Sequence, residues 1–544
     1  MPSINFKGKN AVWNHHLSVP YQTLEKDKKL SVKGKNEDEN LIIEADNLIA
    51  LKSLLPKYQG RIKCIYIDPP YNTGNENWVY NDKINSPLIK DWIKQTVSAD
   101  DLTRHDKWLC MMTPRLKLLQ ELLSDDGAIF ISIDNIEVHN ILSLMNEIFL
   151  PENFVGVLIW RKKEGGGQTD QYFVTEHEYI VVYKKSDKFK WLDEKIPQDS
   201  SSYNKKDKDG EYKAVKLAKW GSGARKEDRP TMCFPLIAPD GKKVYPVAPD
   251  GNDGRWRVGK VTMERLIENN LIDWVKKDSK WLPYEKIYFE GDEIKVIKER
   301  SIIYDLSYTG DGTKELLNIF GAKDYFDNPK PSELIKYLIT YSSEKDSIIL
   351  DSYAGSGTTA HAVLKLNKED KSSNRKYILV QLPEEIKKDK SAYKAGFRYV
   401  HEITRERVKK VIEKDKLDVG FSYMKLGPRI DADSILSGSL PTYKELAKYV
   451  YYLATGKTMD NEKSIDEKNY FVGKINGESI YLLYEKDKDK LKGLAITLDW
   501  AEKIGKKDKG KKIIYAPACF LDEEYLEKFN IHFVSIPYSL FEKK

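Results

Sequence analysis

The sequence predicts an α/β fold with a mostly parallel sheet, because two stretches each consist of a short apolar strand that stops at a turn. The run Ile62–Ile67 is apolar and partly β-branched, and it is followed closely by Pro69 and Pro70, which is typical of a buried parallel strand. The run 347–351 leads into a turn with two glycines and then into small residues that begin a helix. Leucines at helical spacing within residues 48–55 predict a helix that precedes the first of these strands.

The segment after the first strand is Asp68-Pro69-Pro70-Tyr71. Neither proline has an amide hydrogen, so this stiff backbone presents acceptors and suits a substrate that is a donor. The Asp68 carboxylate and the Pro69 carbonyl could accept both hydrogens of a nucleobase amine, which leaves the nitrogen lone pair free to meet an electrophile. Tyr71 offers a ring for stacking, worth about 1–3 kcal/mol per base, against the few kcal/mol lost when a base leaves its duplex. The alternative is a strand that ends in a rigid turn with an unrelated Asp before it.

The second stretch carries a glycine-containing loop after its strand. Gly355 and Gly357 permit positive φ and a close approach of a ligand to the backbone, and the helix that follows offers free N–H groups to a carboxylate. A dinucleotide fingerprint needs a third glycine, but Thr358 and Thr359 stand here instead.

Together the two stretches resemble the DNA amino-methyltransferases that use S-adenosylmethionine, which pair an Asp-Pro-Pro-Tyr catalytic loop with an Asp-x-Phe-x-Gly-x-Gly cofactor loop. The catalytic loop comes first, as in the beta class, and the strongest resemblance is to modification subunits of type III restriction systems. It extends over residues 40–420. It implies a doubly wound, mostly parallel sheet of the methyltransferase type, circularly permuted, with an inserted target-recognition domain. Tyr353 stands where the family usually has Phe.

The resemblance implies a catalytic segment of Asp68, Pro69, Pro70 and Tyr71, and S-adenosylmethionine as the cofactor. The implied cofactor-binding residues are Asp46, Phe326, Lys330, Pro331, Asp351, Tyr353, Ala354, Gly355, Ser356, Gly357, Thr358 and Glu384. Asp46 is also placed to cap a helix, and the two roles are compatible. Glu384 is expected to accept from the ribose hydroxyls, although Glu385 beside it is a second candidate. No metal site is expected.

We expect five segments: an N-terminal arm (1–40), a catalytic half of the core (41–185), a target-recognition domain (186–324), a cofactor-binding half (325–440) and a C-terminal α/β domain (441–544). Residues 205–229 carry nine basic and five acidic side chains, which suits contact with phosphates. The alternative for the inserted segment is a dimerisation or solubility element.

Two loops are candidates for contact with DNA. Residues 75–103 form a long segment with several aromatic side chains, which predicts a lid or a substrate clamp. Residues 161–168 are basic and rich in glycine. They are either a plain hairpin turn or a loop that closes over DNA.

Composition limits the other classes of protein. The 544 residues, 40% of them hydrophobic, can bury the cores of two or three domains. No run approaches the roughly 18 apolar residues of a membrane span, and no signal region begins the chain, so a cytoplasmic protein is expected. The four cysteines lack metal-type spacing, and the net charge of +6 permits contact with nucleic acid without requiring it.

The sequence is therefore interpreted as a site-specific methyltransferase for the N6 amine of adenine in double-stranded DNA, acting by direct transfer. An Asp at the first position of the catalytic segment usually goes with adenine in the family, whereas Ser goes with cytosine. The alternatives are an N4-cytosine DNA or RNA amine methyltransferase, or an inactive DNA-binding specificity subunit. The resemblance further implies a homodimer and a helicase–nuclease restriction subunit as a partner. The sequence contains no complete Gly-x-x-x-x-Gly-Lys-Ser/Thr phosphate loop, so the chain alone is not expected to translocate or cut DNA.

Overall fold

A computed structural model describes residues 3–72, 103–165, 172–192, 194–197, 200–289, 294–430, 440–459 and 461–536. The predicted lid or clamp, apart from Thr103, lies outside the described residues, as do residues 166–168 of the predicted basic loop.

Strands and helices are numbered in chain order over the described residues. The strands are β1 (Gln22–Lys26), β2 (Leu41–Glu44), β3 (Ile62–Ile67), β4 (Leu123–Ile133), β5 (Phe154–Arg161), β6 (His177–Lys184), β7 (Glu194–Pro197), β8 (Lys205–Asp207), β9 (Gly210–Lys216), β10 (Leu236–Ile237), β11 (Lys243–Val244), β12 (Ile272–Lys277), β13 (Lys280–Tyr288), β14 (Ile294–Ile297), β15 (Ile302–Ile303), β16 (Ile348–Asp351), β17 (Lys376–Gln381), β18 (Ser422–Arg429), β19 (Phe471–Ile475), β20 (Glu478–Leu482), β21 (Lys512–Ala516) and β22 (Ile531–Ser535). The α-helices are α1 (Lys9–Val12), α2 (His15–Ser18), α3 (Asn47–Tyr58), α4 (Arg104–Leu122), α5 (Val138–Phe149), α6 (Lys260–Glu268), α7 (Thr309–Phe320), α8 (Ser332–Ser342), α9 (Thr358–Glu369), α10 (Ser391–Lys394), α11 (Val400–Asp415), α12 (Tyr443–Thr455), α13 (Lys488–Lys492), α14 (Leu498–Lys507) and α15 (Glu523–Lys528).

The main sheet has ten strands in the order β1-β18-β2-β17-β16-β3-β4-β6-β5-β15. The strands from β18 to β4 in this order are parallel to one another, whereas β1 is antiparallel to β18 and β6 is antiparallel to both β4 and β5. This arrangement confirms the predicted mostly parallel sheet. The runs 154–160 and 178–183 further predict an antiparallel pair that closes such a sheet, and β5 and β6 form that pair.

Helices cover both faces of this sheet, as the doubly wound prediction requires. Side chains of β3 alternate between two hydrophobic clusters: Ile65 and Ile67 belong to one, and Cys64 and Tyr66 belong to the other. Helices α3, α4 and α5 contribute to the first cluster, and α8, α9 and α11 to the second. Fully burying an aliphatic side chain is worth roughly 1.5–3 kcal/mol, so these two layers hold the central strands in place.

The register of the central strands brings the two sequence stretches together. Ile349 and Leu350 of β16 pair in parallel with Cys64 and Ile65 of β3. Because carboxyl ends of parallel strands meet at one edge of a sheet, the segment that begins at Asp68 and the glycine-containing loop emerge side by side. Ligands of open α/β sheets bind at such an edge.

The chain divides into two compact units, one of Met1–Leu192 with Arg300–Lys544 and the other of Asp193–Glu299. The second unit contains the sheet β12-β13-β9-β8 and a small core that includes Leu217, Met263 and Trp256. The Trp256 indole donates a hydrogen bond of 2.8 Å to the carbonyl of Phe234. Helix α6 in this unit was not predicted. Recognition of DNA by this segment stays a prediction.

The C-terminal segment forms its own four-stranded sheet, β19-β20-β21-β22, within the larger unit. Asn476 and Gly477 both have positive φ, 49° and 87°, and they join the antiparallel strands β19 and β20. The sequence predicts a hairpin over residues 470–484 because Asn-Gly is a typical two-residue hairpin turn, and the structure confirms it. No α-helix in the described ranges is both long enough and apolar enough to cross a membrane.

Four elements differ from what the sequence predicts. The sequence predicts a kink or a new helix start at Pro114, yet α4 is one helix through that residue, because buried side chains such as Trp108 and Leu116 pack on both sides of it. The apolar run from Ala128 predicts a strand, but strand β4 already begins at Leu123. Strands β1 and β18 were not predicted; β1 is a partly polar strand at the sheet edge, paired antiparallel with β18.

Candidate active site and glycine loop

Four polar side chains meet at the carboxyl end of β3. The Lys330 ammonium lies 2.9 and 2.8 Å from the two carboxylate oxygens of Asp68 and 2.8 Å from the Tyr71 hydroxyl oxygen. The Tyr71 hydroxyl donates to Asp68 at 2.7 Å, and it lies 3.1 Å from Glu178. Glu178 also accepts from Lys162 at 3.1 Å and lies 3.3 Å from Lys330. We call Asp68, Tyr71, Glu178 and Lys330 the polar cluster.

Burial and charge set the ionisation of the polar cluster. Only 10% of the Lys330 side chain is exposed, and burial opposes its charge, yet the Asp68 and Glu178 carboxylates outweigh burial and raise the pKa of Lys330. Burial likewise opposes ionisation of Glu178, but Lys330 and Lys162 lower its pKa. Burial, with the charges of Asp68 and Glu178, raises the pKa of Tyr71 well above its usual range. The cluster therefore holds two carboxylates around a charged ammonium and a neutral phenol.

Contacts from α4 and α5 fix the backbone of the catalytic segment. The indole N–H of Trp108 donates to the Pro70 carbonyl at 2.7 Å. Asn72, which has a positive φ of 61°, donates through its side chain to the fully buried Glu137, and His105 lies 2.7 Å from the same carboxylate. These contacts hold the backbone on either side of Tyr71, at Pro70 and at Asn72.

The glycine loop, residues 351–358, is held by hydrogen bonds from strand β17 and helix α11. The N–H of Gly355 donates to the Gln381 side chain at 2.7 Å, and the N–H of Ala354 donates to the Val380 carbonyl at 3.1 Å. The Thr404 hydroxyl donates to the Gly355 carbonyl at 2.6 Å. The loop is therefore fixed before any ligand binds.

Glycine is required at two positions of this loop. Gly355 and Gly357 have φ values of 52° and 85°, and a Cβ on Gly357 would lie 3.0 Å from the Thr404 carbonyl oxygen. A Cβ on Gly355 would lie 3.0 Å from the ring of Phe326. The absence of side chains therefore lets α11 and the Phe326 ring approach the loop backbone.

Asp351 and Ser352 lie buried at the start of the glycine loop. Asp351 accepts from the Tyr353 N–H at 2.9 Å and from the Thr359 hydroxyl at 2.5 Å, and burial raises its pKa to about 7. Tyr353 is buried, and its hydroxyl lies 3.4 Å from the sulfur of Met112. The hydroxyl of Ser352 is buried without a hydrogen-bond partner among the described residues.

Asp46 and Glu384 follow two neighbouring strands of the same sheet edge, β2 and β17. Asp46 caps α3 by accepting from the Leu48 N–H at 2.8 Å, which confirms its predicted cap role. Its carboxylate also lies 3.3 Å from the buried Arg115. Glu384 is partly buried, and this burial raises its pKa. Both residues follow strands at the edge of the sheet that also carries the glycine loop, and their contact with a ligand stays a prediction.

Lys330, expected among the cofactor-binding residues, connects the two halves of the site. Its ammonium belongs to the polar cluster, while its backbone carbonyl accepts from the Thr358 hydroxyl at 3.2 Å. Pro331, the next residue, is the N-cap of α8. The turn at Lys330 is therefore tied to the glycine loop through its backbone and to Asp68 through its side chain.

Sequence reasoning missed Glu178 and Arg407. Arg407 is fully buried and donates to the hydroxyls of Ser356 and Thr358, both at 2.8 Å, and to Glu315 at 2.9 Å. An available signal was that Arg407 follows Val400, Ile403 and Thr404 at helical spacing and so lies on the apolar face of its helix. For Glu178, the signal was an acid directly before the apolar run of β6.

In the described part of the chain, no group of three or more His, Cys, Asp and Glu side chains could hold a metal ion.

Comparison with known proteins identifies the family of this chain. A family model described as DNA methylase matches residues 62–394, which covers both the catalytic segment and the glycine loop. The chain belongs to the DNA methylase family. It is thus an enzyme whose substrate is DNA.

Curated members of the family are similar over most of the chain. The EcoPI Mod subunit of a type III restriction-modification enzyme, from Escherichia phage P1, is 35% identical over 76% of this chain and 68% of its own length. The type II methyltransferase M.KpnI from Klebsiella pneumoniae is 37% identical over 67% of this chain and 85% of its own length. Among solved structures, the M1.HpyAVI–SAM complex matches 68% of this chain and 98% of its own, at 12% identity and a TM-score of 0.30.

Proposed function

We propose that this methylase transfers a methyl group from S-adenosylmethionine to the exocyclic N6 amine of adenine, at a specific sequence in double-stranded DNA. The observation that carries the proposal is the position of Asp68. This carboxylate lies at the end of β3, beside the glycine loop that follows β16, and it already holds a nitrogen cation at 2.8 Å. A carboxylate in this position can accept from a donor amine next to a bound cofactor.

The residues around the glycine loop fit S-adenosylmethionine. Asp46 is assigned to the adenine amine of the cofactor, Glu384 to its ribose hydroxyls, and residues 351–358 with residues 326–331 to its methionine part. The buried Ser352 hydroxyl, which has no partner among the described residues, supplies an unused polar atom in this loop. When bound, the cofactor supplies an electrophilic methyl group on a sulfonium sulfur.

Asp68 and Pro69 are assigned to orient the target amine. The cofactor, held by residues 351–358 and 326–331, would supply its methyl carbon to the nitrogen lone pair and would leave as the neutral thioether, which keeps the electron pair of the broken carbon–sulfur bond. Positive charge grows on the nitrogen until one of its protons leaves to solvent. The carboxylates of Asp68 and Glu178 stabilise this charge, because charge-assisted hydrogen bonds strengthen as the donor becomes cationic.

Adenine is favoured over cytosine because the catalytic segment begins with Asp, which in the resembled family usually accompanies adenine. Both bases present an amine beside a ring nitrogen, so N4 methylation of cytosine is the alternative that an experiment must exclude. The relatives named as modification enzymes of restriction systems support a role in such a system, with a helicase–nuclease restriction subunit as the partner. A homodimer is proposed from the same resemblance.

The unit Asp193–Glu299 is assigned to DNA recognition, within the predicted segment 186–324. Its surface carries Trp220, which is 64% exposed, with the Lys216 ammonium 4.7 Å from the ring centroid. Basic side chains in this unit suit phosphate contacts, and an exposed indole can stack on a base.

Asp68→Ala tests the proposed role of the catalytic segment. We expect methyl transfer to DNA to fall by at least about 10²–10³-fold, the usual cost of losing one transition-state partner. Cofactor affinity, measured by calorimetry, is expected to stay close to wild type, because the hydrogen bonds of the glycine loop do not involve Asp68. Wild-type turnover in this variant would refute the assignment.

A further inference from the structure

The Lys330 ammonium occupies a site built from acceptors. Four oxygen atoms surround it: two of Asp68, one of Tyr71 and one of Glu178, at 2.9, 2.8, 2.8 and 3.3 Å. The side chains of Lys330 and Glu178 are each only 10% exposed. Among these atoms are the carboxylate oxygens that the proposed function assigns to the target amine, so an amine bound there would lie against the ammonium and compete with it for the same acceptors.

An ammonium is also a close chemical match to the reacting amine. Both are nitrogen donors, and the methylated amine becomes cationic before it loses a proton. Acceptors that hold a lysine cation in the resting protein are therefore already arranged to stabilise the charge that develops on the substrate. If the lysine cation stayed beside that nitrogen, it would repel the developing charge.

The two ends of Lys330 differ in how they are held. Its backbone carbonyl accepts from Thr358 of the glycine loop, and the next residues, Pro331 and Ser332, begin α8, where Ser332 bonds to Glu315. The hydrogen bonds and ion pairs described for the side chain all involve its ammonium. A flexible four-carbon stem lets the ammonium move while the backbone stays fixed.

We propose that Lys330 is a positioning residue whose ammonium holds the place of the target amine in the resting enzyme and withdraws when the base enters. It keeps Asp68, Tyr71 and Glu178 in the geometry that the target amine then uses. The inference rests on the proposed function and deepens it, because it makes Glu178 a second carboxylate of the target site. It also means that base entry exchanges one set of hydrogen bonds for another.

The test measures how much the target amine contributes to binding. Two duplexes carry the recognition sequence, one with deoxyadenosine and one with purine deoxyriboside at the target position, which lacks the amine. Dissociation constants are measured with sinefungin in place of the cofactor, and the ratio between the two duplexes is compared among variants. The weaker base pairing of purine is common to all variants and cancels in that comparison.

We expect a ratio below about threefold for wild type, because the amine must displace the ammonium, and about tenfold or more for Lys330→Met, where the acceptors are free. The double variant Lys330→Met/Glu178→Gln also removes one anion, so it keeps the test valid if the single variant is unstable; its ratio should rise as well. Lys162→Met is the matched control, because Lys162 contacts Glu178 but not Asp68 in the contacts described. Its ratio should stay at the wild-type value.

An unchanged ratio in both Lys330 variants would overturn the inference, as would an equal loss of affinity for both duplexes, which indicates a purely structural role. If wild-type protein methylates adenine but the Lys330 variants have the same ratio of dissociation constants as wild type, the Lys330 inference alone is contradicted. Wild-type protein that methylates no adenine contradicts the proposed function, and the inference with it.

Discussion

At the scale of single residues, the charged side chains of the polar cluster compensate one another. Lys330 and Tyr71 both donate to Asp68, and Lys162 compensates Glu178 from the other side. Removing one partner of such a buried group leaves the others without compensation, which costs more than the lost contact itself. The effect of a substitution in the polar cluster should therefore depend on whether it removes a ring, a hydroxyl or a charge.

Substitutions of Tyr71 separate the ring from its hydroxyl. We expect Tyr71→Ala to lose more of the transfer rate than Tyr71→Phe or Tyr71→Trp, because stacking on the target base needs a ring. The hydrogen bond of the hydroxyl to Asp68, which the sequence did not indicate, predicts a smaller but measurable loss in Tyr71→Phe. Single-turnover rates at saturating DNA provide the measurement. Equal losses in all three variants would mean that the hydroxyl is the group that matters.

Asp351 predicts a specific dependence of stability on pH. Burial raises its pKa from 3.8 to about 7, so the folded protein binds a proton on this group that the unfolded chain has lost. Stability from this group is therefore fully present below about pH 4 and is lost as pH rises through about 7, at roughly 1.4 kcal/mol per unit of pKa difference.

Asp351→Asn removes this titration and keeps an acceptor for the Tyr353 N–H. Between pH 5 and pH 8, the free energy of unfolding should fall less in the variant than in wild type, as measured by urea denaturation at each pH. The same fall in both proteins would contradict a raised pKa at Asp351.

At the scale of elements, α11 and β17 hold the glycine loop from two sides. Gly357 permits the close approach of Thr404, and Arg407 joins Ser356 and Thr358 to Glu315 of α7. The geometry of the glycine loop thus depends on a helix that follows it by about fifty residues in the chain.

Gly355→Leu tests the position of the proposed cofactor site. The side chain would meet the Phe326 ring and would have to adopt a φ of 52°, so cofactor affinity should fall by about tenfold or more in calorimetry. Gly321→Leu is the matched control: it also has positive φ, but a Cβ there meets nothing within 4 Å. Equal affinity in Gly355→Leu and wild type would show that the cofactor binds elsewhere.

Arg407→Met tests the anchor of the same loop. Because Glu315 would lose a buried partner, we expect a loss of about 3–5 kcal/mol in the free energy of unfolding. The double variant Arg407→Met/Glu315→Gln should recover part of it. No recovery would mean that Arg407 stabilises the loop through Ser356 and Thr358 alone.

The sequence predicted those elements whose residues carry a local signal. Strands β3 and β16 are followed within a few residues by prolines or glycines, and the hairpin at Asn476–Gly477 has its own turn residues. The sequence therefore predicted the positions of these elements correctly. The polar cluster could not be predicted, because Glu178 and Lys330 are far from Asp68 in the chain and meet it only through the order of the strands. The partly polar β1 was missed because its pairing with β18 comes from the tertiary structure.

At the scale of the whole molecule, the account predicts how the enzyme acts on DNA. The resemblance to type III modification subunits implies a homodimer in which one subunit reads the site while the other methylates. Light scattering coupled to size-exclusion chromatography should then give twice the mass of the 544-residue chain. A monomer that methylates both strands of a palindrome would contradict this arrangement.

The most direct measurement of the central claim is methylation-aware sequencing of DNA treated with the purified enzyme and S-adenosylmethionine, with Asp68→Ala as the control. The account predicts N6-methyladenine at one specific sequence, on one strand of an asymmetric site, and no modification by Asp68→Ala. N4-methylcytosine as the product, or N6-methyladenine made equally well by Asp68→Ala, would contradict it.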